Sequence, residues 1–209
     1  MSKLAIGVLA SGRGSNLAAI MAAIDRGEIA GQIKVVISDH GQAPALERAR
    51  RAGIKALPIL RAQYESKRQF EAALAAALQE AKVELVVLAG FMRLLSADFV
   101  AQFPGRIMNI HPALLPSFPG LEAQRQAVDY GVRVSGCTVH FVDQGMDSGP
   151  VILQATVPVL PTDSPEELAA RILVQEHRLY PEAVSLYAAG RLSIRGRKVI
   201  IQEEEKNES

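Results

Sequence analysis

The chain has 209 residues, 49% of them hydrophobic, with 23 Lys and Arg against 22 Asp and Glu for a formal net charge of +1. That balance supplies no global field to gather nucleic acid or anionic lipid, so an anionic ligand has to be captured locally. The lone cysteine, Cys137, excludes an internal disulfide, and the longest apolar run, Leu85 to Met92, falls far below the roughly 18 residues of a membrane span.

Leu4 to Ala10 is short, apolar and β-rich; it runs into Ser11-Gly-Arg-Gly-Ser-Asn16 and then a helical stretch to Arg26, closed by Gly27. Lys34 to Ser38 reads as a second strand, Pro44 to Arg51 as a helix stopped by Gly53, and Lys55 to Ile59 as a third strand. Phe70, Leu74, Leu78 and Ala81 recur at helical spacing within Tyr64 to Lys82, and the aliphatic run Leu85 to Ala89 suits a strand buried on both faces. A short helix is expected near Ser96 to Gln102, then a strand from Arg106 to Ile110 ending at His111-Pro112 and a loop holding Pro116, Pro119 and Gly120.

Gly136 to Val142 and Val151 to Val157 are β-rich runs joined by a connection too short for a crossover helix, so the second half turns antiparallel. Ser164-Pro-Glu-Glu167 combines an N-cap serine, a first-turn proline and a third-position glutamate, predicting a helix to about Leu179 that Pro181 interrupts before a last stretch to Gly190. Leu192 to Ile201 predicts an edge hairpin or strand, followed by an acidic tail. Repeated βαβ units call for a mostly parallel twisted sheet with helices on both faces, in a single domain spanning 1–209. The opening Met-Ser-Lys-Leu has no signal-peptide pattern, which predicts a cytoplasmic protein.

The loop Ser11 to Asn16 lies between a strand and a helix, where free backbone N–H groups and the positive helix end favour phosphate; Ser15 and Asn16 would add side-chain donors. It lacks the Gly-Lys-Ser/Thr of a P-loop, and Leu17 stands where a dinucleotide loop has its third glycine. Asn109 and His111, two apart on an extended segment, point to the same side and present an amide and an imidazole donor suited to a developing oxyanion. Asp147, in a glycine-flanked loop, would hold that histidine in its charged form. Cys137 and His140 fall on opposite faces of a strand and form no zinc pair, and His40 and His177 are read as structural.

The segments Gly12 to Asn16, Leu88-Ala-Gly-Phe-Met-Arg93, Met108-Asn-Ile-His-Pro112 with Leu114-Leu-Pro116, and Met146-Asp-Ser-Gly-Pro150 together resemble the phosphoribosylglycinamide formyltransferase family, in order and spacing, over about residues 3–190. The resemblance implies an α/β, Rossmann-like formyltransferase fold. It divides the chain into a phosphate-binding half (about 1–105), a folate and catalytic half (106–190) and a C-terminal extension (191–209). It further implies transfer of a formyl group from 10-formyltetrahydrofolate, as cosubstrate, to the amine of 5-phosphoribosylglycinamide in purine biosynthesis, with no metal. By matching position, Asn109, His111 and Asp147 are the expected catalytic group, while Gly14, Ser15, Asn16 and Glu176 are expected to bind the phosphoribosyl substrate. Lys67, Met92, Arg93, Leu94, Leu95, Asn109 and the segment Asp143, Gln144, Gly145, Met146, Asp147 are expected around the folate. Glu122, Ala123 and Gln124 depart from relatives that carry histidines there, and Leu173 from relatives with a polar residue.

Three other readings share parts of this pattern. A formyltetrahydrofolate deformylase would use the same group to pass the formyl to water, but such relatives usually carry an extra N-terminal domain. A methionyl-tRNA formyltransferase would add a C-terminal RNA-contacting domain and a basic surface. A non-catalytic nucleotide-binding module could use the first loop and Asp39, yet gives no reason for Asn109, His111 and Asp147. Nucleic acid and membrane partners are not expected, and no oligomeric state is specified.

Overall fold

The computed structural model describes residues 3–203. Strands β1 (Leu4–Ala10), β2 (Gly31–Ser38), β3 (Lys55–Pro58), β4 (Leu85–Leu88), β5 (Ile107–His111), β6 (Val134–Phe141), β7 (Val151–Pro158), β8 (Leu192–Arg195) and β9 (Lys198–Ile201) form one sheet in the order β3-β2-β1-β4-β5-β6-β7-β9-β8. The first five strands pair in parallel, and β5, β6 and β7 pair antiparallel. The C-terminal hairpin joins through a single parallel register pair, Val151 with Lys198.

Helices α1 (Ser15–Asp25), α2 (Pro44–Arg51), α3 (Lys67–Glu80), α4 (Ala97–Val100), α5 (Ala123–Tyr130) and α6 (Pro165–Ala188) cover the sheet. Alternation along the strands sorts the core into two layers. Ile6, Val8, Met108, Ile110, Cys137 and Val139 pack with α1, α2 and α6, whereas Leu9, Val86, Leu88 and Ile107 pack with Phe70, Leu74 and Leu78 of α3 and Phe99 of α4. Burial pushes the Cys137 thiol up to about 12, so it behaves as a small apolar side chain.

Six details depart from the sequence expectation. β2 and β6 begin earlier, at Gly31 and Val134, and α3 begins later, at Lys67, because the Ser66 hydroxyl caps it by accepting from the Gln69 amide. The expected helix near Ser96 to Gln102 is a single turn. Helix α5 is not expected from the sequence: only Ala123 and Ala127 are buried, with Val128 partly buried against the core, too faint an apolar stripe to see. Pro181 does not interrupt α6, which begins at the expected Ser164 capping box and runs unbroken to Ala188. A mid-helix proline costs about 3 kcal/mol locally. Burial of Leu179, Tyr180, Pro181, Ala183 and Val184 against the sheet offsets that cost. Tyr180 adds an anchor: its hydroxyl shares its proton between the carbonyls of Leu88 at 3.0 Å and Met108 at 2.8 Å, stapling α6 to β4 and β5 just before the site.

Candidate active site

The site lies at the carboxyl ends of the parallel strands β1, β4 and β5, where an open α/β sheet leaves a crevice. After β1 the chain passes Gly14 at φ 69°, a left-handed conformation that glycine takes without strain, and enters α1 with no side-chain cap. The first amides of α1 therefore remain available to an anion. A β-carbon at Gly14 would also come within 2.8 Å of Ala45 Cβ, so this turn is sterically fixed as well.

Asn16 and Glu176, 160 positions apart, meet beneath this loop. The buried Asn16 Nδ2 donates to Glu176 Oε2 at 2.8 Å. The amide expected to serve phosphate is thus committed to a carboxylate, while Asn16 Oδ1 is buried with no partner among the described residues. Burial raises the Glu176 carboxyl above its ordinary range, with the Asn16 hydrogen bond opposing part of the shift. The pair offers acceptor oxygens, the complement of sugar hydroxyls rather than of a phosphate.

Asn109 and His111 project from one side of β5, as their spacing predicts, and Asp147 reaches them from the loop between β6 and β7. His111 Nδ1 lies 3.4 Å from Asp147 Oδ2, and His111 Nε2 donates to the Phe118 carbonyl at 2.8 Å. Both ring nitrogens face acceptors, an arrangement the imidazolium satisfies. Asp147 sits in the left-handed region at φ 49° and is held there by the Gly120 amide, which donates to Oδ2 at 2.8 Å. Phe118 and Glu122 also take positive φ, so three non-glycine residues with strained backbone surround the site. Thr138 anchors the intervening loop, donating to Ala113 O and accepting from the Leu115 amide.

His140, which the sequence offered only as half of a rejected metal pair, belongs to this group. Antiparallel register sets it directly opposite Asn109. Its Nδ1 must donate to the Phe141 carbonyl at 2.9 Å, because a carbonyl only accepts, so Nε2 is free to accept from Asn109 Nδ2 at 3.2 Å. Burial lowers the His140 pKa and keeps the ring neutral in that tautomer. Asn109 is thereby oriented by one amide hydrogen, leaving the second for a ligand. Asp147 Oδ1 lies 3.8 Å from His140 Nε2 and completes the cluster.

Of the residues expected around a folate, Met92, Leu94 and Met146 are exposed apolar side chains, and Leu95 is buried. Arg93 is held by Asp39, its Nε 2.5 Å from Oδ2, and its guanidinium lies over the Phe70 ring. Asp143 shapes its own loop, its Oδ1 accepting from the Gly145 amide and the Ser148 hydroxyl, while Gln144 and Gly145 are exposed. At the end of that loop Gly149 is required, because a β-carbon there would fall 1.8 Å from the Phe141 carbonyl oxygen. Lys67 stands apart from the catalytic group on α3, half-exposed and 3.7 Å from Glu71, whose buried carboxylate also accepts from the Ser96 amide. Glu122 and Gln124 flank the start of α5, and Leu173 lies on the long helix α6.

A glycine loop opening a helix, joined at the carboxyl ends of the central strands to an Asn-His-Asp cluster, defines a group-transfer site, and residues 4–184 match the Formyl transferase family. The chain belongs to that family. It is 45% identical to the phosphoribosylglycinamide formyltransferase of Escherichia coli over 90% of this chain and 88% of that one. It superposes on the glycinamide ribonucleotide transformylase 1 of Symbiobacterium toebii with a TM-score of 0.95 and 57% identity, covering 97% of this chain and 95% of that chain. The trifunctional purine biosynthetic protein adenosine-3 of Drosophila pseudoobscura pseudoobscura is 47% identical over 90% of this chain, which spans only 14% of that longer protein.

Proposed function

We propose that this protein transfers the formyl group of 10-formyltetrahydrofolate to the amine of 5-phosphoribosylglycinamide in purine biosynthesis. The observation that carries the reading is the convergence of Asn109, His111 and Asp147 beside a phosphate-suited helix start whose Asn16 is locked to Glu176. The family match and the names of its relatives support the choice of reaction. One continuous sheet supports treating the phosphate half, the folate half and the C-terminal hairpin as a single unit. Among the described residues no helix is long and apolar enough to cross a membrane.

In the proposed mechanism the substrate phosphate sits on the α1 amides of Ser15 and Asn16, and its ribose hydroxyls donate to Glu176 and Asn16 Oδ1. The exposed Met92, Leu94 and Met146 supply apolar surface for the pterin. The amine attacks the formyl carbon; a carbon–nitrogen bond forms and the carbonyl electron pair moves onto oxygen. The second Asn109 amide hydrogen and His111 stabilise that oxyanion, His111 Nε2 exchanging the Phe118 carbonyl for it. Collapse breaks the bond to the folate nitrogen. The proton released by the amine passes to that nitrogen through Asp147 or a water held by it. The products are the formylated amide and tetrahydrofolate.

The test supplies 10-formyltetrahydrofolate with and without 5-phosphoribosylglycinamide and follows tetrahydrofolate and formate. Conversion that depends on the amine is expected. Formate release without the amine would instead make the protein a deformylase, and binding without turnover a nucleotide-binding module.

A further inference from the structure

Asp39 follows β2 and is not among the residues placed on either substrate, yet its side chain is only 1% exposed and is paired with both its neighbour His40 and the distant Arg93. Arg93 Nε lies 2.5 Å from Oδ2 and His40 Nδ1 lies 2.9 Å from Oδ1. Ser11 opens the glycine loop; its Oγ accepts from the Met92 amide at 3.0 Å, and its own amide donates to the Gly90 carbonyl at 3.0 Å. The carboxylate therefore holds the loop after β4 through Arg93, and that loop is in turn hydrogen-bonded to the loop after β1 through Ser11. A buried charge is costly unless such donors surround it. Burial alone would raise the Asp39 pKa, but the Ser11, His40 and Arg93 hydrogen bonds outweigh it and hold the carboxyl below its ordinary range. A neutral side chain of this size would meet the packing requirement without that desolvation cost.

We infer that Asp39 is a positioning residue that locks the phosphate loop Ser11–Asn16 and the folate loop Met92–Leu95 into one rigid frame, fixing the distance between the attacking amine and the formyl carbon. This inference rests on the proposed substrates for its kinetic consequence but not for its structural one. Placement errors of about 1 Å between reacting groups cost on the order of 100-fold in rate, so a shared brace between two substrate loops acts on turnover without touching either substrate. An amide at this position keeps the shape but cannot present an anionic oxygen to Arg93.

The test compares Asp39→Asn and Ser11→Ala with the unmodified protein. Ser11 is partly exposed, so its alanine variant keeps the experiment decisive if Asp39→Asn misfolds. Amide hydrogen exchange of the ligand-free protein is expected to speed up at least about tenfold in both loops of Asp39→Asn and at Met92 of Ser11→Ala, with β6 and β7 unchanged. KM for both substrates should rise together, about fivefold, while kcat falls about tenfold in Asp39→Asn. Faster exchange in only one loop, or unchanged KM and kcat in folded Asp39→Asn, overturns the inference. If the unmodified protein fails to turn over these substrates while both loops still loosen in the variants, the brace stands and the proposed reaction falls.

Discussion

Replacing Glu176 by Gln should weaken substrate capture while relieving the folded protein of a cost. In the proposed complex Glu176 Oε2 is engaged by Asn16 and the carboxylate accepts from a ribose hydroxyl; hydrogen bonds to a charged group contribute about 1.5–3 kcal/mol. At about 1.4 kcal/mol per factor of ten, loss of the charge raises KM for 5-phosphoribosylglycinamide by about 10- to 150-fold, with a smaller change in kcat. Stability should move the other way. Burial raises the Glu176 carboxyl, so the folded state holds that proton more tightly than the unfolded chain. Its stability contribution is present below the ordinary carboxylate range and is lost as pH climbs through the raised value. Glutamine carries no charge and escapes this loss, so the melting temperature of the variant relative to the parent should improve between about pH 5 and about pH 8. Steady-state kinetics with saturating 10-formyltetrahydrofolate, paired with thermal unfolding at the two pH values, checks both arms. A KM within about twofold of the parent, or a variant that loses relative stability as pH rises, would refute the reasoning.

Asp147→Asn should lower kcat by about 100-fold or more, since it removes the anion that faces His111, while KM for the phosphoribosyl substrate changes little; single-turnover formyl transfer reads this directly. Asn109→Ala removes a preorganised oxyanion donor and should cost about 100- to 1000-fold in kcat in the same assay. His140→Ala frees the Asn109 amide to rotate, so kcat should drop about tenfold with KM nearly unchanged, and His140→Gln, which restores an acceptor, should recover part of it. Tyr180→Phe leaves the Leu88 and Met108 carbonyls without their buried donor. At about 1–3 kcal/mol for the lost partner and about 2–4 °C per kcal/mol, calorimetry should show a melting temperature lower by about 2–12 °C.

Local spacing made much of this protein legible. The strand, glycine loop and helix at 4–25, the Ser164 capping box and the same-side projection of Asn109 and His111 all follow from neighbours within a few positions, where backbone geometry alone sets direction. Asp147 stood out by its glycine-flanked loop, and the resemblance of four separated motifs supplied Glu176 and the chemistry that joins these residues. Local signals failed where a distant partner outweighed them: Pro181 stays helical because the surrounding residues are buried against the sheet, and α5 shows almost no stripe because so little of it faces inward.

Two further features of the site were beyond sequence reading for the same reason. His140 joins Asn109 only because the β5–β6 register sets them opposite one another, and a shift of one residue would turn that ring into the core. Asn16, which reads as a phosphate donor beside its loop, is claimed by a carboxylate 160 positions away. Which hydrogen-bonding group meets which depends on register and burial summed over the whole chain, so tertiary structure decided the wiring of a site whose chemical components the sequence already contained.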